Sequence, residues 1–115
     1  MGWPPQVGES LPRAVECWHE LAKLLGWVLE SVGHRSEWER IFRVTVADHE
    51  LVWAALAEAA IGAEIIEVRD REPNGIACGL EVEITIEGRS AKVTMGWHYA
   101  DSGAAPRSAT AYPRP

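Results

Sequence analysis

Two adjacent stretches of alternating residues, between Ile76 and Tyr99, constrain the fold more than any other feature of the chain. In the first stretch the even positions are apolar: Ile76, Cys78, Leu80, Val82, Ile84 and Ile86. In the second stretch the odd positions are apolar: Ala91, Val93, Met95, Trp97 and Tyr99. Successive side chains of a β-strand point to opposite faces, so the pattern predicts two long strands with one core-facing side and one polar side. The residues from Glu87 to Arg89 predict the turn of a hairpin.

The chain before this hairpin has the apolar spacing of three and four residues that is typical of amphipathic helices. It predicts a first helix over 12–32 with Ser10 as its N-cap. A capping-box sequence that starts at Ser36 predicts a second, short helix, and Asp48 is placed to cap a third that ends near Gly62. An alternative is that the second and third helices form one bent helix.

Weaker alternation predicts a first strand over 63–72 and a last strand over 107–112. We therefore expect one domain over residues 1–115 with an α+β fold, in which two or three N-terminal helices pack on one face of a four-stranded antiparallel sheet. Its parts are an N-terminal arm over 1–11 that Trp3 pins to the body, a helical part over 12–62 and the sheet over 63–113.

Composition and charge limit the classes of partner. With 47% hydrophobic and 24% charged residues the chain is typical of globular proteins, and its net charge of −6 gives no general attraction to nucleic acid or to an anionic membrane. No apolar run approaches the roughly 20 residues of a membrane span, and no secretion signal is recognisable. We predict a cytoplasmic protein with no membrane partner, no metal and no organic cofactor. Cys17 and Cys78 are predicted to be buried thiols, with a disulfide as the alternative.

The polar side of the hairpin is the candidate functional surface. It is predicted to carry Glu81, Glu83, Thr85, Lys92, Thr94 and His98. Arg69 joins from the first strand. Ser108, Thr110 and Tyr112 join from the last strand if Ala109 and Ala111 point inward.

These residue types match the requirements of RNA cleavage, which needs a base for the ribose 2′-hydroxyl, an acid for the leaving oxygen and cations for the phosphorane. The corresponding hypothesis makes Glu83 or Glu81 the base and His98 the acid. It places the cations Arg69, Lys92 and Arg107 near the phosphate, with Thr94 among the substrate-binding groups. The alternative is an ordinary solvated face on which Glu83 and Lys92 pair across strands.

Six tryptophans are many for this length. Their positions in the helical and strand patterns favour core or subunit-contact roles over base stacking. If Trp27 and Trp53 are both exposed, a protein partner or a homodimer contact is predicted.

The C-terminal segment resembles a known group of domains. The residues from Ala105 to Pro113 read Ala-Pro-Arg-Ser-Ala-Thr-Ala-Tyr-Pro. They resemble the ending of a small bacterial domain family of unknown function, which reads Pro-Arg-Leu-Val-Thr-Ala-Tyr-Pro after a strand that contains valine, threonine and tryptophan. Similar endings occur in bacterial toxin domains of the barnase, EndoU, colicin and RelE type. The resemblance implies a toxin-like ribonuclease with Arg107, Thr110 and Tyr112 at matching positions.

We therefore predict a toxin-type, ribonuclease-like domain, active or degenerate, that would act as a metal-independent endoribonuclease on RNA. Two alternatives stay open. One is a non-catalytic protein-interaction module, such as an immunity or accessory protein. The other is a small-molecule binder that encloses its ligand between helices and sheet.

Overall fold

The computed structural model describes residues 3–25 and 37–114. It has the predicted α+β architecture, with an antiparallel sheet in the strand order β1-β2-β3-β4. The strands are β1 Glu67–Asp70, β2 Ile76–Ile86, β3 Arg89–Tyr99 and β4 Arg107–Pro113. The helical elements are a 3-10 turn Ala14–Glu16, α1 Leu21–Lys23, a π-helical segment Trp38–Phe42, a 3-10 turn Val46–Asp48 and α2 His49–Ala60.

The predicted central hairpin is present. β2 and β3 pair along their whole length, from Ile76 opposite Tyr99 to Ile86 opposite Arg89. The two residues between the strands, Glu87 and Gly88, both have positive φ values, of 49° and 82°. A two-residue turn of this kind matches the right-handed twist of the strands, and glycine adopts the second position without a steric penalty.

The core lies between the apolar side of the sheet and the helices. In α2 the buried residues Val52, Leu56 and Ala60 recur every four positions and pack on the β2 side of the sheet. The π-helical segment contacts β3 and β4, where Trp38 and Phe42 are buried. The indole N–H of Trp38 donates to the Ala111 carbonyl at 3.3 Å, which occupies one backbone acceptor at the outer edge of β4.

The predicted first helix over 12–32 is wrong for residues 12–20, which contain only the 3-10 turn Ala14–Glu16. The backbone is helical from Leu21 to Leu25, where the described part of this segment ends. Tertiary hydrogen bonds hold residues 12–20 in an irregular path instead. The Tyr99 hydroxyl donates to the Pro12 carbonyl, and Trp18 forms a short parallel bridge to β4 through its N–H to Pro106 at 3.1 Å and its carbonyl to Ser108 at 2.8 Å. The remainder of the predicted helix, together with Trp27 and the start of the predicted capping box at Ser36, lies outside the described residues.

The N-terminal arm is an integral part of the core. Ser10, the predicted N-cap, instead pairs with Glu64 in an isolated β-bridge. Leu11 is buried, and the Trp3 ring meets the Tyr99 ring edge-on at a centroid distance of 5.6 Å, as predicted for an arm pinned by Trp3.

The second and third predicted helices are separate elements. Arg43, with a φ of 59°, ends the π-helical segment in the left-handed region. The Asp48 carboxylate then accepts a hydrogen bond from the Thr45 N–H at 2.9 Å, in front of α2. The alternative of one bent helix is therefore wrong.

The predicted orientation of the last strand is wrong at Ser108 and Ala109, because β4 contains a β-bulge. Trp97 pairs with Ser108 and Gly96 pairs with Thr110, so Ala109 is an extra residue on the β4 side. Ser108 is only 6% exposed and shares the core face with Trp97, whereas Ala109 lines the outer face. The extra residue moves Ser108 inward while Arg107, Thr110 and Tyr112 keep outward positions.

A groove on the outer sheet face

The strand register arranges the outer side chains in rows that run across the sheet. The first row is Arg69, Ala77, His98 and Arg107; the second is Glu67, Gly79, Gly96 and Thr110; the third is Glu81, Thr94 and Tyr112. The second row has no side chain on either central strand, because Gly79 and Gly96 oppose each other. This absence creates a trough between the flanking rows.

The trough is a groove of about 370 Å³. Its floor consists of Gly79 and Gly96 with the small side chains of Ala77 and Ala109. A Cβ atom on Gly96 would lie 2.7 Å from the Thr110 hydroxyl oxygen, and one on Gly79 would lie 3.3 Å from the Glu67 Cβ. The two glycines thus permit both the close approach of neighbouring strands and the depth of the groove.

Six of the predicted site residues line this groove: Arg69, Thr94, His98, Arg107, Thr110 and Tyr112. The sequence pattern did not indicate Glu67, Arg71 or the two floor glycines as site residues. The glycines could have been found, since a two-residue turn at Glu87 and Gly88 fixes the register and opposes Gly79 to Gly96.

Arg107 is the most distinctive group in the groove. Its side chain is only 20% exposed, and its closest charged partner, Glu20, is 3.8 Å away, which is longer than a hydrogen bond. Within the described ranges its guanidinium makes no hydrogen bond. A guanidinium carries five N–H donors, so this half-buried cation has donors available for an anionic ligand.

Thr94 adds a second polar group without a partner. Its hydroxyl oxygen is shielded from solvent and has no hydrogen-bond partner among the described residues. Buried polar atoms in proteins are nearly always hydrogen bonded, so this hydroxyl is an exception, and because its oxygen is covered a ligand in the groove does not contact it directly.

The charge that lines the groove is positive although the whole chain is acidic. Arg69, Arg71 and Arg107 line it, and Glu67 is the one carboxylate in the described lining. Glu67 is held by Arg69 through an Nε to Oε1 contact of 2.8 Å. The groove therefore keeps a local excess of cations.

His98 has a structural partner. Its Nε2 atom donates a hydrogen bond to the Asn74 carbonyl, which can only accept. The bond ties β3 to the turn between β1 and β2, where Gly75 has a φ of 95°. The ring nitrogen that would otherwise donate a proton to a leaving group is thus occupied by the backbone.

The predicted carboxylate bases lie outside the groove. Glu81 opposes Thr94, four residues along β3 from His98, and Glu83 opposes Lys92, six residues away. At about 3.3 Å per residue these separations are roughly 13 and 20 Å along the strand. Glu81 is instead paired with Lys92 at 3.6 Å and with Arg114 at 3.8 Å. The structure therefore does not bring Glu81 or Glu83 within reach of the same phosphate as His98.

Two titratable side chains lie beneath the groove on the core side. Burial raises the pKa of the Cys78 thiol to about 11, and burial also raises the pKa of the Tyr99 hydroxyl. Both cysteines are free thiols, Cys78 buried and Cys17 half-buried.

The described tryptophans act mainly in packing. Trp97 is fully buried, and Trp53 is half-buried between Trp97, at a centroid distance of 6.0 Å, and His19, at 4.4 Å. Trp18 is 46% exposed beside the β4 edge. A protein partner or homodimer contact was predicted only if Trp27 and Trp53 were both exposed. Trp53 is half-buried, so this condition is not met.

Neither a metal centre nor a membrane span is found in residues 3–25 and 37–114. No three His, Cys, Asp or Glu side chains of this part lie close enough together to hold a metal ion. None of its helices is long and apolar enough to cross a bilayer. No protein-family model matches the chain, and no curated protein matches it.

Proposed function

We propose that the outer groove binds a phosphate group of single-stranded RNA, and that the protein is a degenerate ribonuclease-like domain that binds RNA without cleaving it. The observation that carries the proposal is Arg107, a half-buried guanidinium with unused donors at the edge of a glycine-floored groove. Guanidinium groups bind phosphate oxygens through two parallel hydrogen bonds, which gives both affinity and orientation.

Other lining residues suit a nucleotide. Arg69 and Arg71 supply further positive charge. Tyr112 lies in the third row and also lines the groove. A volume of about 370 Å³ is at the lower end of the range for small-ligand pockets, which fits one nucleotide unit better than a duplex.

The toxin-type resemblance supports the same assignment. Arg107, Thr110 and Tyr112, the three positions that match the toxin endings, all line the groove. A cytoplasmic location, as predicted from the sequence, would give the domain access to RNA.

Separation of the predicted acid and base favours the degenerate form of the domain. Glu81 and Glu83 are about 13 and 20 Å along the strand from His98, and a base must be within hydrogen-bond distance of the proton it removes.

The test is RNA binding by fluorescence anisotropy with a labelled single-stranded oligonucleotide at low salt. We expect Arg107→Ala to weaken binding by about 10- to 100-fold, the range for loss of a charged hydrogen bond. Arg89→Ala is the matched control, because it removes the same charge from an exposed position at the start of β3, outside the groove. Equal affinity of the Arg107→Ala and wild-type proteins would reject the proposed site.

Cleavage is measured in the same samples by gel electrophoresis of the RNA. We expect the RNA to stay intact with the wild-type protein and with His98→Ala. Cleavage by the wild type that His98→Ala abolishes would refute the degenerate form and support an active nuclease.

A further inference from the structure

One edge of the sheet is uncovered in the described structure. β1 pairs only with Ile76–Gly79 of β2, and no described strand pairs with the same side of β2 from Leu80 to Ile86. The cause is the path of the chain before β1. Ile65 pairs with the N-terminal arm, donating to the Glu9 carbonyl at 2.9 Å and accepting from the Gly8 N–H at 2.9 Å. The chain reaches β2 only at Ile66, so the rest of that edge stays open.

The backbone groups at this edge can be identified from the register. The Gly79 carbonyl accepts from the Ile66 N–H at 2.9 Å, which shows that Gly79 faces the β1 side. Backbone direction alternates along a strand, so Glu81, Glu83 and Thr85 also face this side. Their N–H groups make no backbone hydrogen bond to the described loops and turns. Three consecutive pairing positions are therefore available to an incoming strand.

A second groove, of about 390 Å³, runs beside this edge. Its apolar part is formed by Ala55 and Ala59 of α2, by Ile61, which is 52% exposed, and by Ile84. Its charged residues are carboxylates only, Glu58 and Glu83, with no lysine or arginine in its described lining.

We propose that an extended protein segment with alternating apolar and basic residues adds to this edge as a fifth strand. Pairing with β2 would place one set of its side chains on the helix side, against Ile84 and Ile61. The other set would lie on the outer side, next to Glu83, where lysine or arginine complements the charge.

The charge of the edge selects against other occupants. A second copy paired antiparallel about Glu83 would bring glutamates of the two chains opposite each other, which is unfavourable. An RNA strand would meet Glu58 and Glu83 in a groove whose described lining has no cation. A basic peptide strand is the occupant that matches both the free backbone groups and the charge.

The test uses the synthetic peptide KVKVKVK, with EVEVEVE as the charge-reversed control, and amide hydrogen exchange of the full chain followed by NMR. We expect the basic peptide to bind saturably and to slow exchange at Glu81, Glu83 and Thr85. The amides of Val82 and Ile84 point to β3 and should be protected with or without peptide. Glu83→Lys should weaken binding by about tenfold or more.

Thr85→Pro tests the backbone pairing directly. The Thr85 N–H faces the open edge, where proline is tolerated by the sheet, but the substitution removes a donor that an added strand needs. We expect Thr85→Pro to abolish peptide binding and Thr85→Ala to retain it. The alanine variant controls for the hydrogen bond between the Thr85 and Ser90 hydroxyls.

Several results would overturn the proposal. Equal affinity for the two peptides would show that charge does not select the partner. Unchanged peptide affinity in a folded Thr85→Pro variant would show that the peptide does not bind by strand addition. Protection of the Glu81, Glu83 and Thr85 amides in the free protein would show that the edge is already covered. If that protection increased with protein concentration, a second copy would be the occupant.

Discussion

The two ends of the β2–β3 hairpin share the same alternation of apolar and polar residues, and yet they form different surfaces. At the open end, Ile76–Glu81 and Thr94–Tyr99, the hairpin is flanked by β1 and β4, and Gly79 opposes Gly96 on the outer side. At the turn end, residues 82–93, Glu83 and Lys92 are exposed, and the hydroxyls of Thr85 and Ser90 share a hydrogen bond of 2.6 Å. Alternation sets the polarity of a face, whereas flanking strands and missing side chains set its shape.

The largest difference between the ends is expected for alanine substitutions at two glycines with positive φ. A Cβ on Gly75, at the open end, would lie 2.0 Å from the Tyr99 carbonyl oxygen, whereas nothing lies within 4 Å of one on Gly88. We expect Gly75→Ala to lower the free energy of unfolding by about 2–5 kcal/mol, from backbone strain plus overpacking. Gly88→Ala should lower the free energy of unfolding by about 1–2 kcal/mol, from backbone strain alone. Urea unfolding measures both, and equal losses would contradict the proposed difference.

Alkaline pH should weaken the open end, because Cys78 and Tyr99 are buried there. Both pKa values are raised by burial, that of Cys78 to about 11, so the folded state holds these protons after the unfolded state has lost them. Stability is therefore intact below about pH 8.5, the ordinary thiol pKa, and falls as the pH rises toward 11. The Cys78 contribution is about 3 kcal/mol, because the pKa difference between 8.5 and about 11 corresponds to 1.36 kcal/mol for each unit.

Thermal unfolding between pH 7 and 11 tests this effect. The melting temperature of the wild type should decline across that range, and a Cys78→Ala variant, although less stable at pH 7, should decline less steeply. Parallel curves for the two proteins would show that the Cys78 thiol is not responsible.

Filling the groove floor should also distinguish the two ends. Gly96→Ala places a methyl group 2.7 Å from the Thr110 hydroxyl oxygen, so we expect a loss of about 1–3 kcal/mol and weaker RNA binding. Lys92→Ala, on the same strand and face at the turn end, should change stability by no more than about 0.5 kcal/mol. Chemical unfolding and anisotropy give the two readouts, and a neutral Gly96→Ala would mean that Thr110 moves aside freely.

The smallest expected effect concerns His98. His98→Ala removes the hydrogen bond to the Asn74 carbonyl, and we expect a loss of about 0.5–1.5 kcal/mol. The change should be local, with faster amide exchange at Asn74 and Arg71, whose N–H groups bond within the β1–β2 turn. Thr85→Ala provides the comparison at the turn end, because it removes the hydrogen bond between the Thr85 and Ser90 hydroxyls. Faster exchange throughout the sheet would indicate that His98 has a wider structural role.

Local pattern predicted the parts of the fold in which side-chain direction follows from neighbouring residues. The hairpin and α2 were predicted from sequence spacing, and the turn was predicted over Glu87 to Arg89, one residue longer than the observed turn of Glu87 and Gly88. The segment around Pro12 and Trp18 was mispredicted as helix, because its backbone groups bond to Tyr99 and to β4, far away in the sequence.

The candidate site was predicted only in part for the same reason. Alternation alone identified Thr94 and His98 as outward residues, and it equally indicated Glu83 and Lys92, which lie away from the groove. The bulge at Ala109 turned Ser108 inward and had no signal in the sequence, since it depends on how β4 pairs with β3.

The sequence by itself determined the two-sided hairpin, because the direction of each side chain along a strand is a property of the local backbone. Only the tertiary structure decided that the polar side is concave at one end and that Arg107 and Arg69 line the same groove. Those features require β1, β4 and the N-terminal arm to dock at particular positions along the hairpin. Such docking depends on contacts between residues far apart in the chain, which a local pattern does not encode.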